Sequence, residues 1–358
     1  MIGSVSAPAS DIAGAPPEAV LEAFELSAAG VRANRSGLIN RTWHVVTREG
    51  EPRVLQQVNP IFPPRVHADI AAVTGHLLAK GLTTPTLIPC SAGTLYFEHR
   101  GAIWRVLTHI EGISRHTIGS AAQAAEAGRK LGEFHRALSD LEHEFAQARL
   151  GVHDTRRHLR LLEETLRDCR DHPEFDAIVP LAKELQAFAA TLPPLPVAPD
   201  RIVHGDPKVS NILFSSSGEK ALCLIDLDTL GEMPVALELG DALRSWCNTA
   251  REDAPDPHFS AAWFAAATRG YAETAAGLLE PAEYEAIPDA VLTIAVELAV
   301  RFCNDALREN YFRWDRRRYS SSSRHNQARA RAQLGLARSL AAQRKSMQAA
   351  VSAAFAAR

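Results

Sequence analysis

Two short stretches of the sequence place oxygen-bearing side chains where an apolar run ends. HGDPKVSN contains Asp206, Lys208 and Asn211, and IDLD contains Asp226 and Asp228. Mg²⁺ prefers oxygen ligands and usually takes the remainder from water and phosphate groups. A lysine beside these oxygens adds a positive charge that suits phosphate. Together the two stretches predict a site for Mg²⁺ and phosphate groups.

The spacing of the first stretch suggests a role for each side chain. Asp-x-x-x-x-Asn is the spacing of the kinase catalytic loop, in which the Asp accepts a hydroxyl proton and the Asn holds metal. In the same pattern a later Asp, here Asp226, bridges the metal to phosphates. The apolar-His-Gly residues before Asp206 and the strand ending in I-D-x-D make the match specific. His204 is expected to brace the loop, and Lys208 is either a phosphate contact or a surface lysine.

The neighbouring elements must bring these groups together. The apolar residues 221–225 and the residues after Asn211 predict two strands of one hairpin, joined by SSSGEK. This hairpin would carry the oxygen-bearing side chains to one end of a β-like island at 201–230. Asp228 is expected to be a cap or turn residue. The Pro-rich segment LPPLPVAPD reads as the connector that leads into the island.

The rest of the chain divides into a sheet region and a helical region. Residues 66–80 have helical spacing and end at Gly81, which predicts a C-cap. The other elements expected in the first third are a helix at 17–30 and strands within 34–59, 94–99 and 102–110. A long helix is predicted from Ser120, and further helices are predicted at 154–170, 180–191, 259–278, 281–308 and 326–354.

Composition argues against several other classes of protein. The 358 residues are 46% hydrophobic and 23% charged, and a formal net charge of −3 gives no support to nucleic-acid binding. The sequence has no long apolar run and no N-terminal signal-peptide pattern. Its five cysteines are dispersed without paired spacing. We therefore expect a cytoplasmic protein with reduced thiols, no nucleic-acid or membrane partner and no implied protein partner.

The stretch HGDPKVSNILF…LCLIDLDTLGEMPVALELGDALR resembles the aminoglycoside phosphotransferase superfamily of small-molecule kinases. Within that superfamily, the chain is most similar to the N-acetylhexosamine 1-kinases. The stretches that carry the narrower resemblance are NRSGLINRTWHV (34–45), RVLQQVN (53–59), RFCNDALRENYFR (301–313) and HNQARARAQLGLARSL (325–340). The resemblance covers nearly the whole chain, and the kinase motifs in it are far more specific than the sugar-binding ones.

This resemblance implies an α+β, bilobal protein-kinase-like fold. A small β-rich N-lobe would occupy 1–110 and a larger helical C-lobe 111–358. The implied reaction is ATP- and Mg²⁺-dependent phosphorylation of the anomeric hydroxyl of an N-acetylhexosamine. In it, Asp206 would be the catalytic base, and Asn211 and Asp226 the Mg²⁺ ligands.

The resemblance also implies residues that contact the two substrates. The implied nucleotide-binding positions are Ser36, Gly37, Asn40, Gln56, Thr108 and Ile110, the last two through backbone groups that would meet adenine. Arg301 and Tyr311 fall where the sugar kinases contact their acceptor. Asp241 is a further candidate for the sugar, with an anchoring role as its alternative.

One strand departs from the kinase pattern. Kinases place a lysine on it for the α- and β-phosphates, but the sequence here is VLQQVN, and Gln56 has no charge. Arg41, Arg53 and Lys208 are the candidates for the missing cation. The departure keeps open a catalytically weak nucleotide or sugar sensor. A kinase of the same fold acting on an aminoglycoside, an amino alcohol or another sugar is the other alternative.

Overall fold

A computed structural model of the chain describes residues 14–34, 39–145 and 152–356. The chain separates into two compact units. The first contains residues up to 75 together with 85–110, and the second contains 76–84 and everything from 111 onward. In the described residues, no helix is both long enough and apolar enough to cross a bilayer.

An antiparallel sheet forms the centre of the first unit. Its elements, together with a helix that runs on into the second unit, are α1 Glu18–Ala23, β1 Arg32–Asn34, β2 Arg41–Val46, β3 Pro52–Gln57, α2 Val66–Ala79, β4 Leu87–Ile88, β5 Phe97–His99 and β6 Ala102–Thr108. The strand order is β1-β2-β3-β6-β4, and β5 also pairs with β6.

The two faces of this sheet differ because side chains alternate along each strand. Trp43, Leu55 and Trp104 belong to one buried cluster with residues of α1, so this face forms the core of the unit. Thr42 and Gln56, the neighbours of Trp43 and Leu55, therefore point to the opposite face. The sheet thus has an apolar face against α1 and a second face that carries polar side chains.

Two helix ends in this region test the sequence prediction. The helix expected at 17–30 ends at Ala23, because Glu25 adopts a positive φ of 53° and Leu26 joins Thr47 in a β-bridge. The predicted C-cap at Gly81 is confirmed. Gly81 has a φ of 77°, and its N–H donates to the Leu78 carbonyl as α2 ends.

The second unit is mostly helical and contains two small sheets. Its elements are β7 Ile113–Ser114, α3 Ala121–Leu138, α4 Thr155–Asp168, α5 Phe175–Ala189, β8 Asp200–Val203, β9 Ile212–Phe214, β10 Ala221–Leu224, β11 Gly231–Pro234, α6 Val235–Trp246, α7 Ala261–Ala275, α8 Pro281–Glu285, α9 Ile287–Arg308 and α10 Ser322–Ala356. The sheets have the orders β10-β9-β7 and β11-β8.

The predicted hairpin is present as the antiparallel pair β9 and β10. The strand before the polar loop, β8, pairs with β11 and not with this hairpin. The loop 204–211 therefore runs from one small sheet to the other. Gly112 lets the chain enter β7 flush against β9, since a Cβ there would lie 2.5 Å from the Phe214 carbonyl oxygen.

Helix α6 is absent from the sequence prediction. Gly240 lies in its interior, where glycine is unfavourable for a helix by about 1 kcal/mol relative to alanine. The reason for the glycine is packing, because a Cβ there would come within 2.9 Å of the Ala290 carbonyl on α9. The close approach of the two helices requires this glycine, and the glycine lowers the helix propensity from which α6 would be predicted.

Three other helix bounds also differ from the prediction. Helix α5 begins at Phe175 and contains Pro180 in its interior, although the proline favours a start at that position. The segment 281–308 forms two helices, which meet at Ala286. Helix α10 begins four residues earlier than the predicted 326.

Candidate active site

The loop between β8 and β9 brings three predicted site residues together. Asn211 Nδ2 donates to the backbone carbonyl of Asp206 over 2.9 Å and to its carboxylate Oδ2 over 3.2 Å. The Lys208 ammonium forms an ion pair with the same Oδ2 atom. The loop therefore closes on itself around one carboxylate, with an amide and an ammonium as its partners.

Asp226 follows β10 and has an unusual backbone conformation. Its φ of 65° and ψ of 58° are left-handed, which is uncommon for a residue other than glycine, although aspartate adopts this conformation more readily than most. The preceding Ile225 N–H donates to the Asn211 carbonyl over 2.9 Å. This bond fixes the start of the Asp226 turn to the end of the loop that holds Asp206.

The charge of Lys208 reflects three carboxylates. Burial disfavours the ammonium, but Asp206, Asp226 and Asp241 outweigh it, so the pKa of Lys208 lies above its ordinary value. The lysine is therefore protonated throughout the neutral range. Four charged side chains and the Asn211 amide thus belong to one electrostatic group in the second unit.

His204 joins the loop to the residue before Asp226. Its Nε2–H donates to the Ile225 carbonyl over 2.9 Å, and its Nδ1 accepts from the Asp206 N–H over 3.3 Å. These two bonds assign a neutral imidazole with its proton on Nε2. The fully buried ring has the bracing contacts that the sequence analysis expected of it.

Glu238 is a site residue that the sequence analysis missed. Its side chain, on α6, is fully buried and accepts the backbone N–H groups of His204 and Gly205 at 2.9 and 3.0 Å. The same carboxylate accepts from His135 Nε2 over 3.1 Å, and His135 Nδ1 accepts the Tyr271 hydroxyl over 2.9 Å. A buried carboxylate on α6 therefore anchors the start of the loop to α3 and α7.

The carbonyl groups of the loop are also held. Thr229 Oγ1 donates to the His204 carbonyl over 2.8 Å, and Trp246 Nε1 donates to the Pro207 carbonyl over 2.7 Å. Ser114 Oγ donates to the Ser210 carbonyl over 2.7 Å. Backbone groups satisfied from several elements leave the loop little freedom to change its conformation. Its side chains are therefore preorganised.

Asp241 lies one turn after Glu238 on α6 and pairs with Arg244. Arg244 Nη2 and Nε donate to Asp241 Oδ1 over 2.7 and 3.1 Å. Burial opposes ionisation of Asp241, but the charges of Arg244, His153 and Lys208 outweigh it and lower the pKa of the carboxyl. Asp241 is therefore an ionised group whose charge also reaches Lys208.

Arg301 and Tyr311 form a second group in this unit. Arg301 Nη2 donates to the Tyr311 hydroxyl over 3.5 Å, and its guanidinium lies 5.7 Å from the centroid of the tyrosine ring. Tyr311 is 65% exposed. The loop after α9 is fixed by Asp305, whose carboxylate accepts the N–H groups of Tyr311 and Phe312 at 2.9 and 2.8 Å. Asp305 is another residue that spacing alone did not reveal.

The predicted phosphate-covering turn lies in the first unit. Ser36 and Gly37 fall outside the described residues. Asn40 is buried, and its Oδ1 accepts the Asn59 N–H over 2.9 Å. This bond ties the end of the turn to the residues that follow β3.

Thr108 and Ile110 end the first unit where an adenine contact was expected. The Thr108 N–H donates to the Thr86 carbonyl over 2.9 Å, and its hydroxyl oxygen accepts the Thr86 N–H over 2.9 Å. The backbone donor of Thr108 is thus committed within the unit. Ile110, beyond the end of β6, remains the candidate position for an adenine contact.

Gln56 has partners at both ends of its amide. Its Nε2 donates to Thr42 Oγ1 over 3.3 Å, and its Oε1 accepts from Arg105 Nε and Nη2 over 2.9 and 2.7 Å. Thr42, Gln56 and Arg105 are direct cross-strand neighbours on β2, β3 and β6. The alternation in AIWRVLT, with Trp104 and Val106 on the apolar face, was the available signal for the side on which Arg105 lies.

The oxygen donors in the second unit suit a metal ion that arrives with phosphates. Among the described residues, no three His, Cys, Asp or Glu side chains are grouped as a metal centre. Asn211 uses Nδ2 for Asp206, so its Oδ1 is the atom that would meet a metal, and Asp226 supplies a carboxylate at the turn that the Ile225 N–H ties to Asn211. One amide oxygen and one carboxylate fit Mg²⁺, which takes few protein ligands and completes its shell from water and phosphate.

An antiparallel sheet in one unit and a helical second unit with an Asp-x-x-x-x-Asn loop define a kinase-like protein. Solved structures of other proteins, among them the following three, share this fold at under 25% identity. An amicoumacin kinase in complex with AMP-PNP, Ca²⁺ and Ami has a TM-score of 0.62 at 13% identity, covering 89% of this chain and 91% of that chain. An aminopropanol kinase associated with a microcompartment has a TM-score of 0.60 at 15% identity, covering 90% and 96%. An aminoglycoside phosphotransferase from Alicyclobacillus acidocaldarius has a TM-score of 0.58 at 17% identity, covering 95% and 98%.

The family model that describes the phosphotransferase enzyme family, APH, matches residues 30–277, which is more than half of the chain. The chain belongs to this family of phosphotransferases. The α+β, kinase-like fold and the broader of the two resemblances in the sequence are therefore confirmed.

Proposed function

We propose that this phosphotransferase uses ATP and Mg²⁺ to phosphorylate the anomeric hydroxyl of an N-acetylhexosamine, giving the sugar 1-phosphate. The observation that carries the proposal is the closed loop in which Asn211 and Lys208 both contact the Asp206 carboxylate. Phosphoryl transfer needs positioning and electrostatic stabilisation more than covalent chemistry. A braced loop of charged side chains supplies both.

Asp206 takes the part of catalytic base in this proposal. Its carboxylate orients the acceptor hydroxyl and accepts its proton as the oxygen bonds to phosphorus. The raised pKa of Lys208 keeps a positive charge beside Asp206, where it offsets the negative charge of the γ-phosphoryl group. Because Glu238 and His204 fix the loop, little reorganisation accompanies the reaction.

Asn211 Oδ1 and Asp226 would hold the Mg²⁺ ion, which neutralises charge on the phosphates when it is bound. The amicoumacin kinase of the same fold was solved with AMP-PNP and Ca²⁺, and this supports a nucleotide together with a divalent ion. Asn40 and Ile110 are two described positions of the first unit that we assign to the nucleotide. Ser36 and Gly37 belong to the same assignment from the sequence.

We assign the acceptor to Asp241, Arg301 and Tyr311. The support is the resemblance of RFCNDALRENYFR to the N-acetylhexosamine 1-kinases, together with the pairing of Arg301 and Tyr311. An exposed tyrosine ring beside a guanidinium offers an apolar face and hydrogen-bond donors. A sugar presents C–H faces and hydroxyl groups that match this combination.

An amino alcohol or an aminoglycoside is the second candidate acceptor. Structures of the same fold include an aminopropanol kinase and an ethanolamine kinase of Plasmodium vivax. The ionised Asp241 would attract a cationic amine, whereas Arg301 would repel it. The resemblance at Arg301 and Tyr311 favours the sugar.

An ADP-release screen over N-acetylhexosamines, hexoses, amino alcohols and aminoglycosides tests the proposal. Phosphorus NMR of the product reads the position of the phosphate. We expect turnover with N-acetylglucosamine or N-acetylgalactosamine and a phosphate on the anomeric oxygen. Turnover confined to an aminoglycoside or amino alcohol would overturn the acceptor assignment. Nucleotide binding without turnover on any acceptor would favour a sensor.

A further inference from the structure

The polar face of the sheet in the first unit contains a cation opposite the position of the missing lysine. Gln56 stands on β3, where the kinase pattern has a lysine for the α- and β-phosphates. Its direct cross-strand neighbour on β6 is Arg105. The two side chains are on the same face because paired residues in adjacent strands point to the same side.

The contacts of Gln56 hold the Arg105 guanidinium in one orientation. Two of its nitrogens, Nε and Nη2, donate to the single oxygen Oε1 of the glutamine. The other end of the amide is bound to Thr42 Oγ1 on β2. Gln56 is therefore anchored at one end of its amide and bound to Arg105 at the other. It positions the positive charge of the guanidinium at the end of the glutamine side chain.

The burial of Arg105 sets it apart from an ordinary surface arginine. The residue is only 1% exposed, and an arginine in a protein keeps its positive charge. Charge interactions strengthen where water is excluded, so a phosphate group that reaches this guanidinium would interact with it strongly. Its planar fork also suits two phosphate oxygens better than an ammonium does.

The other candidates for the missing charge lie elsewhere. Arg41 lies two residues before Trp43 on β2, and Arg53 lies two residues before Leu55 on β3. Each arginine therefore shares a face of the sheet with that apolar residue. Both therefore point to the apolar face that packs against α1. Lys208 belongs to the second unit and pairs with Asp206.

We propose that Arg105 is the cation that binds the α- and β-phosphates of the nucleotide, with Gln56 as its positioning residue. The inference rests on the proposed use of ATP and is independent of the acceptor. The glutamine on β3 is then part of a relocated cation site, and its lack of charge is no sign of a weak enzyme.

Calorimetric titration with Mg·AMP-PNP and with adenosine tests this assignment, because only the first ligand carries phosphates. We expect Arg105→Met to raise the Kd for Mg·AMP-PNP by at least about tenfold, as loss of a charge-assisted contact requires. The Kd for adenosine should stay within about twofold, since the contact involves no adenosine atom. The matched control, Arg53→Met on the opposite face, should leave both values unchanged. An Arg105→Met protein with the wild-type ratio of the two constants would overturn the inference.

Arg105→Lys covers the case in which the methionine variant does not fold. It keeps a charge but loses the two-donor contact with Gln56, so we expect a rise of about three- to tenfold in the Kd for Mg·AMP-PNP alone. A wild-type Kd in this variant would exclude the guanidinium assignment. If the wild-type protein binds neither ligand, the proposed function fails together with the inference. If it binds both and the variants change nothing, only the inference fails.

Discussion

The two polar groups of this protein are assembled in different ways. In the second unit, Asp206, Lys208 and Asn211 come from one short loop and contact each other directly. In the first unit, Thr42, Gln56 and Arg105 come from three strands and meet only because the sheet pairs them in register. A local spacing is legible in the sequence, whereas a cross-strand row depends on which strands become neighbours.

The surroundings of the two groups differ as well. The loop is fixed by buried side chains of α3, α6 and α7, through Glu238, His135 and Tyr271. In the row on the sheet, Gln56 is bonded on both sides, to Thr42 and to Arg105. A substitution beneath the loop should therefore affect the folding of the second unit, while one in the row should affect ligand binding first.

The largest expected effect is that of Asp206→Asn, which removes the proposed base from the loop. We expect the kcat of ADP release to fall by about 10²- to 10⁴-fold, the usual contribution of general base catalysis. The free energy of unfolding should fall by no more than about 1 kcal/mol, the value of the partly exposed ion pair with Lys208, because an amide of the same size fits the position. Asp200→Asn, at the exposed start of β8, is the matched control and should keep the wild-type rate. Wild-type turnover by Asp206→Asn would remove this residue from the mechanism.

Glu238→Ala is expected to have the second largest effect, and to act on stability. It leaves two backbone N–H groups and an imidazole nitrogen without their buried acceptor. The loss in the free energy of unfolding should be about 3 kcal/mol, because buried donors left without an acceptor each cost about 1–3 kcal/mol. Urea denaturation measures it, with Glu232→Ala on the exposed side of β11 as the control. Equal losses in both variants would contradict the anchoring role.

Lys208→Met tests the charge of the loop through the pH dependence of stability. The folded protein raises the pKa of Lys208 above its ordinary 10.5. The ion pair therefore stabilises the protein fully below that value and loses its contribution as the pH rises through the folded pKa. The difference in unfolding free energy between wild type and variant should be constant from about pH 8 to about pH 10 and shrink above it. A difference that instead shrinks towards neutral pH would refute the assignment.

Tyr311→Phe is expected to have the smallest effect and to report on the acceptor group. Loss of the hydroxyl that accepts from Arg301 should raise the acceptor KM about three- to tenfold, the value of one hydrogen bond, and leave the nucleotide KM unchanged. Tyr319→Phe removes a phenol that donates to Asp253 and serves as the control for a general loss of structure. A rise in the nucleotide KM instead would place Tyr311 outside the acceptor group.

The parts that sequence could predict are those set by neighbours along the chain. The β9–β10 hairpin, the Gly81 cap and the grouping of Asp206 with Asn211 follow from turn residues, glycine conformation and spacing. The roles of these side chains in catalysis remain predictions. Each of these structural predictions concerned residues within one short segment or one hairpin, whereas the fold of the whole chain was predicted from its resemblance to a family.

The parts that sequence missed depend on distant packing. Gly240 lowers the helix propensity of α6, and the reason for this glycine is the packing of α6 against α9. Because α6 was not predicted, the contact of the buried Glu238 with the His204 N–H could not be predicted either. The same limit applies to Arg105, because its contact with Gln56 depends on the strand register that sets the two residues opposite each other. Spacing along the chain carries no information about the contact of Glu238 with His204 or of Arg105 with Gln56.

The measurement that decides the proposed reaction is ADP release with N-acetylglucosamine compared with its methyl glycoside. The two sugars share every group except a free anomeric hydroxyl. If Asp206 takes its proton from that hydroxyl, ADP should be released with the free sugar and only at the sugar-independent background with the glycoside. Equal release with both sugars would show that another hydroxyl is the acceptor and would contradict the proposal.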